Sequence, residues 1–425
     1  MSGTTAPRRT RPAGTGADRS GSVLGALDRR LRADLGRYLN GPGGEWRGRE
    51  LGAVPVVLGL VAMWAVFQIL DDNFLSPRNL SNLSVDIVGT GMIAVGVVFV
   101  LLLGEIDLSV ASVSGLAAAT FAVLTVYQGV PEWLALIVAV LTGSAAGALH
   151  GFFFARVGVP AFMVTLAGLL GWNGLMLYVL GAVGTITLHN LSLITSLTSH
   201  YFPDAAAYAL AAVSTAVFFL VSHQQRRRRA AAGTPSGPLA GIVLRTALLA
   251  VVAFAAAHTL NRFRGLPLAL LIFLLVVAGL DYVLRRTPYG RRVAALGGGV
   301  EAARRAGINL VTMRISVLVI SGTMAAVGGL FLASRVTSVG QTSGTGILLL
   351  NVIAAAVIGG TSLFGGRGRT WSALLGILVI QSLASGMALL GISSAVQLMV
   401  TGAVLLGAMV LDSLSHRRQH PRAAT

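Results

Sequence analysis

The chain has 425 residues, of which 55% are hydrophobic and 11% are charged, and its mean hydropathy is +0.79. A soluble globular chain of this composition would lack the polar residues needed to cover its surface, so a soluble fold is excluded. There is no cysteine, which excludes disulfides and thiolate metal sites. All 32 Lys and Arg positions are arginine, so the chain can hold neither a P-loop lysine nor a Schiff-base lysine.

The amino-terminal residues differ in composition from the rest of the chain. Residues 1–22 are rich in Thr, Gly, Pro and Arg, which predicts a disordered tail. From Val23 to Leu39, leucines recur at helical spacing among arginines. This predicts a basic amphipathic helix, either on the inner leaflet or packed on its own neighbours. We therefore expect a cytoplasmic tail over residues 1–50, with no cleavable signal peptide because the first apolar run follows Glu50.

The rest of the chain predicts an all-α, polytopic membrane protein with about 12 transmembrane helices. Apolar runs of roughly 18 to 22 residues follow one another almost continuously, and this length crosses a hydrocarbon core about 30 Å thick. The predicted spans are 51–70, 83–103, 109–128, 133–155, 160–180, 205–221, 240–260, 267–284, 313–333, 346–360, 370–390 and 393–411. Re-entrant segments would lower the number of crossings to about ten or eleven.

The arginines predict the orientation of these spans. Cytoplasmic loops retain basic residues, and twelve crossings that start inside place roughly 28 of the arginines on the cytoplasmic side. Both termini are then cytoplasmic. The predicted parts are a transmembrane domain over 51–412, with a basic connector at 226–238 and a cytoplasmic loop at 285–312, and a tail at 413–425. Topology thus accounts for the net charge of +17, and we expect no nucleic acid partner.

Ionised side chains are nearly absent from the predicted spans. Asp86, Asp281 and Asp412 lie close to span ends, where water or headgroups can reach them. An ionised group at the bilayer centre costs about 2.5–3.5 kcal/mol on insertion scales and usually marks function. The pattern therefore argues against a carrier driven by protons or sodium.

One acidic pair, Glu105 and Asp107, lies in the sequence GEIDLSVAS between two long apolar runs. In a structural interpretation, Asp107 caps the following helix by accepting its free backbone N–H groups. In a functional interpretation, the turn with Glu105, Asp107 and Ser109 forms part of a translocation path or its cytoplasmic gate. The two interpretations are compatible.

Paired glycines break the last third of the chain. Gly359, Gly360, Gly365 and Gly366 surround a short Ser-Leu-Phe segment and are hinge candidates, because paired glycines bend or interrupt a span.

Other residues within the spans favour packing between helices. Gly143, Gly147 and Gly151 recur every fourth residue, which predicts close approach of two helices. The few polar side chains either bond neighbouring helices or line a pathway. They are Asn173, Gln381, Ser385, Asn351 and Gln397.

GEIDLSVAS, at 104–112, resembles the GGIDLSVGS signature of bacterial ribose- and xylose-type ABC permeases. Three more stretches resemble motifs of that family in the same order. They are VPAFMVTLAG at 159–168, RTPYGRRVAALGGGVEAARRAGI within 285–308, and IGGTSLFGGRGRTWSALLG at 358–376. The sequence departs from the family pattern at Glu105 and Ala111, where glycine is frequent, and at Gly299-Val300, where Asn-Pro is frequent.

The resemblance implies the permease subunit of an ATP-binding cassette importer for a monosaccharide, D-xylose or a related pentose, in the bacterial cell membrane. It implies a homodimer, an ATPase subunit inside and a sugar-binding protein outside. ATP and Mg would be bound by the ATPase, with no cofactor on this chain. It also implies an ATPase-coupling helix formed by Glu301, Ala302, Ala303, Arg304, Arg305 and Gly307. From spacing alone, this segment could equally be a loop whose arginines only fix topology.

Two other classes remain as alternatives. A secondary carrier or channel would transport without an ATPase. A membrane enzyme or scaffold finds less support, because seven histidines and few carboxylates show no H-E-x-x-H motif or paired-acid arrangement, so the chain is not expected to be an enzyme. Gly297, Gly299 and Ala302 match a dinucleotide fingerprint, but no strand precedes them and no nucleotide site is expected.

Overall fold

A computed structural model of the chain describes residues 54–189, 191–233 and 239–419, which are almost entirely helical. The predicted tail over 1–50, with its amphipathic helix, lies outside the described residues, as do residues 420–425. The helices are α1 Val54–Leu70, α2 Pro77–Leu102, α3 Val110–Ala122, α4 Glu132–Phe152, α5 Ala161–Leu180, α6 Ser192–Ser199, α7 Asp204–Ala231, α8 Leu239–Asn261, α9 Leu268–Arg286, α10 Pro288–Gly298, α11 Val300–Arg305, α12 Leu310–Val336, α13 Leu348–Ile358, α14 Thr370–Leu389 and α15 Ser394–Gln419. Four short strands are β1 Thr185–Thr187, β2 Tyr201–Phe202, β3 Leu266–Pro267 and β4 Ser338–Gly340.

Within the described ranges, 9 helices are long and apolar enough to cross a membrane, two of them (α3 and α4) through single π-helical turns that extend them to Tyr127 and Val157. The other three predicted spans coincide with the shorter apolar helices α1, α13 and the Ser394–Gly407 part of α15. The helical membrane fold is thus confirmed, whereas twelve full crossings are not. α7 is also longer than predicted and continues to Ala231, through the first residues of the connector expected at 226–238.

The central helices of the bundle are α2 and α12, which pack against each other, while α12 also packs against α3 and α4. Glycine makes the closest of these contacts possible. Gly143, Gly147 and Gly151 of α4 all lie against the backbone of α12, and a Cβ at Gly143 would overlap the carbonyl oxygen of Gly322. The prediction of close helix packing from their spacing is confirmed.

Contacts between the turns show that each turn lies at one of the two ends of the bundle. At one end β1 pairs with β4 and β2 pairs with β3, both antiparallel. At the same end the carboxylate of Glu132 accepts hydrogen bonds from the first backbone N–H groups of α6, at 2.9–3.1 Å. The opposite end holds α10 and α11, and there the Gly366 N–H donates to the Leu102 carbonyl (2.9 Å). We name these the strand end and the coupling end. Each end holds the turns that alternating membrane crossings would place on one side of the membrane.

Two segments leave helical geometry inside the bundle. Depth in the bundle can be measured along the unbroken helix α12, which has 27 residues and is about 40 Å long. Ser321, roughly 16 Å from its start, bonds to Asp107, so the Asp107 segment (residues 103–109) reaches well into the bundle. The Ser343 loop (residues 341–347) dips from the strand end until the Ser343 carbonyl lies against Gly115. Irregular backbone at membrane depth is tolerated only where protein covers it or where it lines a cavity.

Candidate functional site

The Asp107 carboxylate is buried between α3 and α12, with 2% of the residue exposed. Its Oδ1 accepts from the backbone N–H and the hydroxyl of Ser109, at 3.0 and 2.6 Å. Its Oδ2 accepts from the hydroxyl of Ser321 at 2.8 Å. Three donors stabilise a carboxylate that would otherwise be costly to bury. Ser109 occupies the cap position of α3, so Asp107 bonds the capping residue and ties the start of α3 to α12.

The network continues from Ser109 onto α4 and α5. The Trp172 indole N–H donates to Nε2 of His150 at 2.8 Å, and Nδ1 of His150 lies 3.3 Å from the Ser109 hydroxyl oxygen. Because Nε2 accepts, a neutral His150 carries its proton on Nδ1 and donates to Ser109, which in turn donates to Asp107. The result is a directional chain of hydrogen bonds that ends on a buried carboxylate.

Glu105 takes no part in the hydrogen bonds that join the other two gate candidates, Asp107 and Ser109. It is half-buried in the Asp107 segment, outside the nine long spans. Burial raises the pKa of its carboxyl, and the nearby Arg314 guanidinium offsets part of that rise. Arg314 in turn lies over the ring of Phe154, with its guanidinium carbon 4.5 Å from the ring centroid.

Three glycine segments meet backbone to backbone at the coupling end. The Gly366 N–H donates to the carbonyl of Leu102, the last residue of α2. A Cβ on Gly297, near the end of α10, would overlap that carbonyl oxygen and lie 2.7 Å from the nitrogen of Gly366. A Cβ on Gly365 would lie 2.8 Å from the Gly297 oxygen. We name this contact of residues 102–104, 297–298 and 365–366 the glycine junction.

The four hinge candidates have two different roles in the backbone. Gly360, Gly365 and Gly366 have φ values of +99°, +85° and +71°, which glycine adopts far more readily than other residues. Gly359 ends α13 with a φ of −66°, and a Cβ there would overlap the carbonyl oxygen of Ser372 on α14. Close packing with α14 therefore explains Gly359.

The segment predicted to couple to an ATPase forms the short helix α11 at the surface. Glu301, Ala302, Arg304 and Arg305 are exposed, whereas Ala303 is 2% exposed and packs inward. A nitrogen of Arg304 lies 3.5 Å from a carboxylate oxygen of Glu301, and both side chains are about two-thirds exposed (66% and 68%). Gly307, with a φ of +75°, turns the chain towards α12.

A partly open cavity of ≈ 410 Å³ lies towards the strand end, lined by residues of α3, α12, α13, the strands β1 and β4, and the Ser343 loop. Asn351 is the one pathway candidate on its wall. The others lie elsewhere: Gln381 and Ser385 on α14, Asn173 on α5, and Gln397 on α15, whose Nε2 donates to the Ile392 carbonyl at 2.8 Å. The lining residues of the Ser343 loop, and His150, Trp172 and Ser321, were not identified from sequence. The only sequence signal for them was a polar residue in or beside an apolar run.

The family model for the branched-chain amino acid transport system / permease component matches residues 79–409. The xylose transport system permease protein of Escherichia coli strain K12 is 37% identical over 85% of this chain and 92% of that protein. The ribose import permease protein of Bacillus subtilis strain 168 is 31% identical over 84% of this chain and 91% of that protein. The L-arabinose ABC transporter permease protein of Azospirillum brasilense is 29% identical, over 90% and 92%. No solved structure matches the chain.

The match covers the Asp107 segment, the glycine junction, α11 and the cavity, and it confirms the resemblance inferred from the four motifs. The chain therefore belongs to the branched-chain amino acid transport system permease family, and it is a multi-pass inner-membrane permease of bacteria related to the xylose permeases.

Proposed function

We propose that this chain is the membrane-spanning subunit of an ATP-binding cassette importer for a monosaccharide, D-xylose or a related pentose. It works as a homodimer with a sugar ATPase at the coupling end, which is cytoplasmic, and a sugar-binding protein at the strand end. ATP and Mg are bound by the ATPase. The names of the relatives, which transport xylose, ribose and arabinose, support a sugar as the cargo.

The glycine junction is the observation that carries this proposal. α11 is exposed, which suits docking on a partner, and Gly297, near the end of α10, lies three residues before the start of α11. Gly297 touches both Leu102, which precedes the Asp107 segment, and Gly366, which follows α13. Because packed backbones cannot be compressed, a displacement of α10 must move these segments or break the contact. A chain without a P-loop lysine can receive the energy of ATP hydrolysis by this route.

The Asp107 segment is the proposed gate. Its carboxylate ties α3 to α12 through Ser321, and its hydroxyl partner Ser109 reaches α4 through His150. Movement of the segment therefore changes the contacts of three spans together. Gly360, Gly365 and Gly366 are the proposed hinges, since their φ values are ones that glycine adopts far more readily than other residues.

The proposal is tested by assembling the chain with its proposed partners, a sugar ATPase and a sugar-binding protein. ATP hydrolysis in proteoliposomes is measured with the binding protein loaded with D-xylose, ribose or L-arabinose. We expect hydrolysis to rise with D-xylose above the rate without sugar. Equal hydrolysis with and without each of the three sugars would contradict the proposal.

A further inference from the structure

The cavity at the strand end is lined in part by neutral polar groups. These belong to Ser114, Thr185, Ser338, Thr342, Ser343, Thr345 and Asn351. Among the described residues that line the cavity, none has an ionised side chain. A zwitterionic amino acid would bring a carboxylate and an ammonium group that no lining side chain could neutralise, and burying such charges is costly. The lining therefore suits a neutral ligand.

Two of the six hydroxyl groups in this lining donate hydrogen bonds within the chain. The Ser114 hydroxyl donates to the Ala111 carbonyl at 2.6 Å, and the Thr345 hydroxyl donates to the Thr342 carbonyl at 2.8 Å. Their oxygens retain lone pairs that can accept further hydrogen bonds. Among the described residues, Oδ1 of Asn351 is buried with no hydrogen-bond partner. An unpaired buried acceptor costs about 1–3 kcal/mol, and a ligand hydroxyl would recover this by donating to Oδ1 once the side chain turns into the cavity.

Apolar and small residues also line the cavity, among them Gly115, Ala118, Gly329, Leu332 and Ala333. Gly115 lies against the Ser343 carbonyl and Gly329 against the Ser114 backbone, so side chains at either glycine would disrupt the wall. The volume of ≈ 410 Å³ falls within the range of about 300–1,000 Å³ that is usual for small-molecule sites. Apolar and hydroxyl-bearing residues together suit a sugar, whose ring carries both C–H and O–H groups.

We propose that this cavity holds one neutral monosaccharide during transport, with Asn351 accepting a hydrogen bond from a sugar hydroxyl. The inference rests on the proposed function. It adds a binding site within a single subunit, between the strand end and the Asp107 segment. Asn351 lies in the first turn of α13, and α13 leads to the glycine junction through Gly359–Gly366. The helix that carries the ligand contact is therefore the one that ends beside the proposed hinges.

The absence of cysteine allows a direct test, because each single Cys variant has one thiol. Ser343→Cys is placed in the chain assembled with its ATPase and binding protein, and its reaction with a maleimide is timed with and without D-xylose. We expect saturating xylose to slow labelling at least threefold, and equimolar leucine to leave it unchanged. Ser199→Cys, exposed on α6 at the same end, is the control and should label at the same rate in all conditions.

Equal labelling of Ser343→Cys with and without xylose, in a complex whose ATP hydrolysis xylose stimulates, would overturn the cavity and leave the proposed function standing. Protection by leucine instead of xylose would overturn the ligand class. Absence of stimulated hydrolysis in the unmodified complex would contradict the proposed function itself.

A second variant tests Asn351 separately from the shape of the cavity. Asn351→Leu removes the acceptor, and we expect sugar uptake to fall about tenfold, while Asn351→Gln, which restores an acceptor, recovers part of it. Asn261→Leu is the matched control, because the Oδ1 of Asn261 also lacks a partner but lies outside the cavity. Uptake by Asn351→Leu equal to that of Asn261→Leu, at equal membrane levels, would overturn the role of Asn351.

Discussion

Gly297 and Gly298 are neighbours in sequence with different surroundings. A Cβ on Gly297 would overlap the Leu102 carbonyl oxygen, whereas a Cβ on Gly298 would meet nothing within 4 Å. Neither has a φ in the left-handed region, so alanine is conformationally acceptable at both positions. The pair separates steric contact at the glycine junction from any general effect of removing a glycine.

We expect Gly297→Ala to break the glycine junction and to lower sugar-stimulated ATP hydrolysis at least tenfold. Overpacking at such a contact costs about 1–3 kcal/mol. Gly298→Ala should keep full stimulation. Equal stimulation in the two variants, measured on complexes with equal subunit content, would exclude the junction as the route of coupling.

Asp107 tests the buried network. Asp107→Ala leaves the hydroxyl of Ser321 and both donors of Ser109 without their acceptor, and each buried unsatisfied group costs about 1–3 kcal/mol. We expect a clear fall in the melting temperature of the purified chain in detergent. Asp72→Ala, at an exposed position near the start of α2, is the control. Its free energy of unfolding should stay within about 0.5 kcal/mol of that of the unmodified chain. Matching melting curves for the two variants would show that the network does not stabilise the fold.

Glu105 gives stability a dependence on pH. Burial raises the pKa of its carboxyl above 4.5, so the folded chain favours the protonated carboxyl more than the unfolded chain does. The contribution of the Glu105 carboxyl to the stability of the fold is fully present below pH 4.5. It is lost as pH rises through the raised pKa of the folded state. We expect Glu105→Gln, which mimics the protonated form, to raise the melting temperature at pH 7, with a gain that shrinks towards pH 4.5. A gain that is the same at both pH values would contradict this assignment.

Sequence reasoning reached some of these residues and missed others for a physical reason. Helix-capping rules predicted Asp107 as the cap of α3, but Ser109 occupies the cap position and Asp107 instead accepts hydrogen bonds from it. Ser321 and His150 join the same network through contacts 214 and 41 residues away in sequence, which periodicity cannot reveal. A serine in an apolar span has the same signal whether it faces a neighbouring helix, a cavity or a buried carboxylate.

At the scale of elements, the prediction of α13 shows where hydropathy fails. Residues 346–360 were predicted to cross the membrane, but α13 has 11 residues and is about 16 Å long, too short to span a core of about 30 Å. Hydropathy measures transfer to an apolar environment, and a half-length helix reached through a re-entrant loop satisfies it equally well. The hydroxyl-rich Ser343 loop before α13 was the available signal of such a loop.

The short helix α11 is the element whose role can be isolated most cleanly. Its Glu301–Arg304 pair is exposed and contributes at most about 1 kcal/mol to stability. The double variant Glu301→Arg with Arg304→Glu retains an opposite-charge pair within α11 and reverses the charges offered to a partner. We expect it to abolish sugar-stimulated ATP hydrolysis while leaving membrane insertion and melting temperature unchanged.

The single variant Glu301→Gln controls for loss of the pair, and it should retain most of the stimulation. Full stimulation in the double variant would show that α11 does not dock on the ATPase through these side chains. The assignment of α11 as a coupling helix would then be wrong, whereas the described fold of the bundle would still hold.

At the scale of the whole molecule, composition and arginine placement predicted the membrane class, and the contacts agree with alternating crossings. β1 pairs with β4 across 150 residues of chain, and Glu132 binds the start of α6, so distant turns gather at one end. The cavity, the network and the glycine junction follow one another from that end to the other. The spacing of Gly143, Gly147 and Gly151 predicted a close helix contact but not the partner helix, because Gly322 of α12 is distant from them in sequence.

The central claim is that this chain moves sugar only when a partner ATPase drives α10 and α11. The direct measurement is uptake of radiolabelled D-xylose into proteoliposomes that contain either the chain alone or the chain with its ATPase and binding protein, with and without ATP. The account predicts uptake in the complete complex with ATP and background levels in the other three conditions. Xylose uptake by the chain alone, or uptake in the complete complex without ATP, would contradict it.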